Sequence, residues 1–120
     1  MQIFILIGGL SGGLSVALGA FGAHALQQRI PAQRQETFET GARYQMYHSL
    51  AMLATGILRV QRPDVNLVVI AGWVFLAGVL LFSGSLYLLA LTDRRWFGAI
   101  TPFGGLAFIL GWVLLALAAV

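Results

Sequence analysis

Four long apolar stretches separated by three short charged islands decide what this chain can fold into. The apolar runs cover residues 3–25, 41–58, 67–91 and 102–120. Each is close to or above the ~20 residues that cross roughly 30 Å of hydrocarbon at about 1.5 Å per helical residue. The islands carry Arg29, Arg34, Glu36 and Glu39, then Arg59, Arg62 and Asp64, then Asp93, Arg94 and Arg95. Hydrocarbon gives backbone amides no partner, so only helices or closed barrels cross it, and unbroken apolar runs lack the alternation of barrel strands. The pattern predicts an all-α fold, a four-helix transmembrane bundle forming one polytopic domain over residues 1–120.

Composition points the same way. The chain is 59% hydrophobic and 9% charged, whereas a soluble domain carries about 25% charged residues to coat its exterior. With no cysteine, disulfides, thiolate metal sites and thiol nucleophiles are excluded. Seven arginines against four acids leave a net charge of +3, yet basic residues are not interleaved with aromatics. Lipid headgroups, rather than nucleic acid, are therefore the expected anionic partners.

Ala23-His24-Ala25 matches a small-x-small cleavage site, but a basic segment before the first run is missing and the run exceeds a signal peptide's apolar length, so we expect it to stay as a span. Arg29, Arg34, Arg43, Arg94 and Arg95 fall on one side of the four-span arrangement, and Arg59 and Arg62 on the other. The positive-inside rule then places both termini outside. Pro31 suits the first turn of a helix running on into the second span, and Thr101-Pro102 reads as the N-cap and N1 of the fourth.

Small residues mark the packing faces. Gly8 with Gly12, Gly9 with Gly13, and Ser15 with Gly19 and Ala23 are small residues four apart and, together with Gly22, give the first span more than one small face, which predicts a central helix touching two neighbours. Gly84 in the third span and Gly104 and Gly105 in the fourth are read in the same way. Lipid supplies no hydrophobic drive between helices, so close backbone approach must hold them. A homo-oligomer seam is the alternative use of such faces. Trp96 in the third island is expected to anchor at the membrane interface.

Polar side chains gather toward the arginine-rich loops. Counting back from Arg59 puts Arg43 roughly 4 Å and His48 roughly 12 Å inside the inner interface. The same half collects His24, Arg43, Tyr44, Tyr47, His48, Ser83, Ser85 and Tyr87. Tyr44 and His48 share one helical face and Arg43 and Tyr47 the next. An ionisable side chain in a membrane is a functional candidate because it is costly without a partner. This cluster fits a hydrogen-bond network locking helix ends, or a site for a lipid-like ligand or a partner's transmembrane helix. A third reading, a small transporter or channel, moves a solute or proton past His48. A metal or haem held by His24 and His48 is not expected, since their depths differ by roughly 12 Å while ligands sit about 2 Å from a metal. Neither a cofactor nor catalysis is expected, because no carboxylate lies within the inner half to orient a histidine.

Several segments carry a family likeness: Ala17-Leu18-Gly19-Ala20-Phe21-Gly22-Ala23-His24, Tyr44-Gln45-Met46-Tyr47-His48, Leu81-Phe82-Ser83-Gly84-Ser85-Leu86-Tyr87, and Thr101-Pro102 with Gly104-Gly105 and Gly111-Trp112. In these the chain resembles the small YgdD-type inner-membrane proteins of bacteria, a family of unknown function with a mitochondrial transmembrane relative in animals. The resemblance implies a four-span protein of the bacterial inner membrane with an outside N-terminus. It implies no activity. His24, Tyr44, His48, Ser83 and Ser85 lie on the shared motifs, and Arg43 does not.

Overall fold

The computed structural model describes residues 2–120 and contains four helices that run alternately up and down, with no strand among the described residues. They are α1 (Ile3–His24), α2 (Ala32–Gln61), α3 (Asn66–Thr92) and α4 (Thr101–Ala118). The principal extents are 50 × 25 × 19 Å, long enough for the bundle to project beyond a hydrocarbon core of about 30 Å.

Local chemistry sets the helix ends. Pro31 is the N-cap of α2, and its carbonyl accepts from the amides of Arg34 and Gln35 at 3.0 and 3.1 Å. The helix therefore starts in the loop and continues through the second apolar run. At the far end of α3, Asp93 takes a left-handed conformation (φ 57°) and its amide donates to Leu89 O at 2.9 Å. Aspartate is among the few residues that adopt this geometry readily. A 3-10 turn, Arg95–Ala99, leads into α4. There the expected cap shifts by one: Ile100 is the N-cap, and Thr101 already lies in the helix. The Thr101 hydroxyl faces Ser85 on α3 rather than its own backbone.

The two inner helices are α2, which packs between α1 and α3, and α3, which packs between α2 and α4. This corrects the expectation that the first span is central. The physical reason is that α2 buries its small and polar residues, among them Gly41, Gln45, His48, Ser49, Thr55 and Gly56. By contrast α1 leaves Leu6, Leu10, Leu14 and Val16 exposed. Three helical stretches (Ile3–His24, Asn66–Thr92 and Arg95–Ala118) are long and apolar enough to cross a membrane. α2, the most polar helix, falls short of that apolarity.

Glycines and rings make the close contacts. Phe4 lies against Gly72, Phe108 against Gly78 and Phe75 against Gly111, so each ring occupies the space a side chain would need, and at Gly104 the backbone of Phe82 takes that space. Phe75 and Phe108 join Ala51, Met52, Ala71 and Val79 in the core. A Cβ at Gly8 would come within 2.9 Å of the Ser49 carbonyl, and one at Gly22 within 2.8 Å of the Phe38 ring. Gly12 and Gly105 make ordinary contacts, at 3.7 Å to Ser49 and 3.9 Å to Phe82. Gly19 and Gly84 do not serve packing: a Cβ at either meets nothing within 4 Å. Apart from Phe4 against α3, α1 meets another helix closely only on the face turned to α2, and Gly84 opens onto a gap between α1 and α3.

One irregularity lies mid-bundle. Residues Val79–Ser83 of α3 form a π-helical turn between Gly78 and Gly84, a distortion found often at functional sites.

Candidate functional site

The polar residues of the arginine-side half resolve into separate bonded sets. One centres on Gln45. Its Nε2 donates to the Ser11 carbonyl at 3.0 Å and to the Ser11 hydroxyl at 3.3 Å, while its Oε1 accepts from the Tyr87 hydroxyl at 2.5 Å. Ser49 lies 2.7 Å from the Ser11 hydroxyl and 2.6 Å from Gln45 O. One glutamine thus ties α1, α2 and α3 together. It faces a gap of about 410 Å³ between α1 and α3 lined mainly by aliphatic side chains, including Leu10, Leu14, Leu76 and Leu80.

Two serines act as rivets. Ser83, fully buried in the π-turn, donates to Gly41 O on α2 at 2.7 Å. Ser85 lies 2.6 Å from the Thr101 hydroxyl and so joins α3 to α4.

His48 belongs to a different set, on the adjoining face of α2 turned toward α4. Its Nδ1 lies 2.7 Å from Tyr44 O, which can only accept, so Nδ1 carries the proton. The indole N–H of Trp112 donates to Nε2 at 3.1 Å. Both ring nitrogens are satisfied in the neutral form, and neither is left to serve as a base. The imidazole stacks on Phe108 with centroids 3.5 Å apart and planes 6° apart.

Around this pair, α2 and α4 leave a groove of about 500 Å³ lined by Tyr44, Tyr47, Phe82, Phe108, Ile109 and Trp112, with His48 at its floor. Tyr44 is 37% exposed and Tyr47 49%, so the groove opens sideways, between helices, on the outer surface of the bundle. The π-turn separates the two hollows: Phe82 lines this groove, and Val79, Leu80 and Ser83 line the aliphatic gap.

The structure therefore brings Tyr44, Tyr47 and His48 together, sets Tyr87 with Gln45 behind them, and uses Ser83 and Ser85 between helices. Arg43 joins neither set. It is exposed in a cleft of about 370 Å³ between α1 and α2, beside Ser15, Gly19 and Glu39. His24 is exposed at the end of α1, near the level where Gly22 meets Phe38, ten residues or about 15 Å along α2 from His48. Among the described residues no group of three or more His, Cys, Asp or Glu is placed to hold a metal.

Sequence reasoning passed over Ser11, Gln45, Ser49, Phe108 and Trp112. A usable signal existed for two of them. Gln45 and Ser49 are one turn apart on the α2 face that also presents Met52 and Gly56, where a glutamine would be stranded unless a neighbouring helix answered it. The Trp112 contact with His48 spans two helices distant in sequence and has no local signature.

A family model described as "Protein of unknown function (DUF423)" matches residues 18–105. The chain belongs to the DUF423 family. Among its relatives, the UPF0382 membrane protein YwdK of Bacillus subtilis is 44% identical over 120 residues, covering 100% of this chain and 98% of that one. A UPF0382 membrane protein of Staphylococcus saprophyticus is 46% identical over 118 residues, covering 98% and 96%. No solved structure matches the chain. These relatives are named as membrane proteins, in agreement with the apolar helices of this DUF423 member. Both polar sets and the groove between α2 and α4 draw on the matched region, apart from Ser11, Phe108, Ile109 and Trp112, which lie outside it.

Proposed function

We propose that this protein is a non-catalytic, four-span membrane protein that binds one lipid-class molecule in the aromatic groove between α2 and α4. The observation that carries the reading is the groove itself: about 500 Å³, walled by five aromatic rings, floored by His48 and open to the side. That size falls within the range of small-molecule sites. Because Tyr44 O and Trp112 already satisfy His48, the floor offers no free hydrogen bond and favours an apolar chain. Tyr44 and Tyr47, on the side of His48 nearer the arginine-rich loops, are exposed and present phenolic hydroxyls suited to a polar head.

Native mass spectrometry of protein extracted with its lipids tests this reading. The wild type is expected to retain one discrete adduct beyond the bulk phospholipids. Gly105→Leu should lose it while remaining folded, since Gly105 lines the groove and a Cβ there meets nothing closer than 3.9 Å. Equal adducts in both proteins contradict the proposal.

A second reading is favoured by one observation. Among the described residues, no buried side-chain nitrogen or oxygen lacks a hydrogen-bond partner, as a purely structural network requires. It predicts that His48→Ala and Gly105→Leu change stability alone, with no adduct to lose.

The orientation that accompanies the proposal puts both termini outside the bacterial inner membrane and the Arg94-Arg95 loop inside. The chain has no cysteine, so single cysteines report cleanly. Asp64→Cys should react with an impermeant maleimide on intact cells, and Gln28→Cys only after permeabilisation. The reverse pattern inverts the topology.

A further inference from the structure

A separate feature lies where α3 ends and α2 begins. A cleft of about 510 Å³ is lined by Gln33, Arg34 and Thr37 of α2, Leu89 of α3, and Asp93 and Arg95 of the following loop. Arg34 is held in place: its Nε donates to Ala90 O at 2.8 Å and one terminal nitrogen donates to Leu91 O at 3.3 Å. These are the last carbonyls of α3, which the helix itself leaves unpaired. Two of the guanidinium nitrogens are thereby spent on the scaffold, and the other is spare, so the charge sits in the cleft wall at little entropic cost. Arg95 is exposed at the start of the 3-10 turn. Asp93 is fixed by its left-handed backbone at the end of α3. The cleft thus displays two positive groups and one negative group around a half-buried leucine.

Its depth matches the headgroup layer. Residues Asn66–Thr92 make 27 helical residues, about 39 Å, close to the ~40–45 Å between the outer limits of the two headgroup regions. The end of α3 therefore lies among headgroups, with Leu89 one turn deeper toward the acyl chains. Trp96 and Phe97, stacked with centroids 4.1 Å apart, follow directly, and Trp96 is exposed, as aromatic side chains at a membrane interface are.

We infer that this cleft binds the zwitterionic headgroup of a phosphoethanolamine lipid, with the phosphate between Arg34 and Arg95 and the primary ammonium on Asp93. A purely anionic headgroup would leave Asp93 facing a like charge. A quaternary choline has no N–H to donate to it. Phosphate recognition by guanidinium groups is strong and directional, and the carboxylate selects among phosphate-bearing lipids.

The test uses the full-length protein in nanodiscs of phosphatidylcholine containing equal amounts of phosphatidylethanolamine and phosphatidylglycerol, with retained lipids read by native mass spectrometry. The wild type is expected to retain phosphatidylethanolamine over phosphatidylglycerol by about threefold, the scale of one exposed ion pair. Asp93→Asn should abolish that preference without unfolding the protein, because asparagine also accepts a left-handed backbone. Arg95→Gln should reduce retention of both lipids and leaves the Arg34 contacts with α3 untouched. Equal retention in the wild type, or a preference that survives Asp93→Asn, overturns the inference. So does inorganic phosphate adding mass to the detergent-solubilised protein while neither lipid is selected, which would assign the two arginines to a free anion.

Discussion

Phe4 near the N-terminus and Gln45 in the middle of α2 hold helices together by opposite means. In the half that carries both termini, the contacts are apolar side chains set against glycines. Phe4 enters the space at Gly72 and meets Trp73 edge-on at 5.1 Å, while Gly56 receives Ile5. The polar Thr55 in this half bonds back to Ala51 O of its own helix at 2.8 Å and joins nothing. Nearer the arginine-rich loops, hydrogen bonds cross between helices: Gln45 with Ser11 and Tyr87, Ser83 with Gly41 O, Ser85 with Thr101, and Trp112 with His48. Ring-in-glycine packing leaves few gaps. Polar bonds hold the helices at fixed points and allow hollows to persist between them, and the two hollows open at the bundle surface flank these bonds.

The contrast can be broken from either side. The largest effect is expected where packing alone holds the helices: Phe4→Ala should cost about 3–5 kcal/mol by removing a fully buried ring from its socket. Reversible unfolding in mixed micelles measures it, and a cost below that of any polar variant would erase the distinction between the halves. Gln45→Leu should cost about 1–3 kcal/mol, since it strands the Tyr87 hydroxyl and removes two bonds to Ser11. Ser85→Ala should cost about 0.6 kcal/mol, the usual size of one interhelical bond in a membrane, and a loss several times larger would mean that Ser85 and Thr101 clamp the α3–α4 pair. Gly19→Ala should change stability by less than about 0.5 kcal/mol, because the added methyl meets no protein atom within 4 Å. A marked loss, or a change in oligomeric mass, would reveal a seam between copies on that face of α1.

Much of this architecture is legible from residue order. The helix positions follow from the apolar runs, and α2 begins beside Pro31 because that residue fixes the entry into a helix. The gathering of polar side chains toward one end is also readable, since depth along a helix is linear in residue number. What escapes is azimuth. Arg43, Tyr44 and Gln45 are consecutive, yet they face a cleft beside α1, the aromatic groove and the gap beneath α1 and α3, respectively. Which of these faces meets which neighbour depends on the packing order of four helices, and small residues on several sides of α1 make it look central when α2 and α3 hold the inner places. The π-turn at Val79–Ser83 is hidden for a related reason: it turns the end of α3 onto Gly41 and Thr101, and no residue type in that run demands it.

The claim on which the functional account depends is that the groove between α2 and α4 selects one molecule, whereas the gap between α1 and α3 is filled by bulk lipid. A photoreactive diazirine residue placed at Tyr47 in one variant and at Leu14 in another, irradiated in native membranes, measures this directly. The account predicts a single dominant adduct mass at Tyr47 and a spread of membrane phospholipids at Leu14. The same spread at both positions would contradict it.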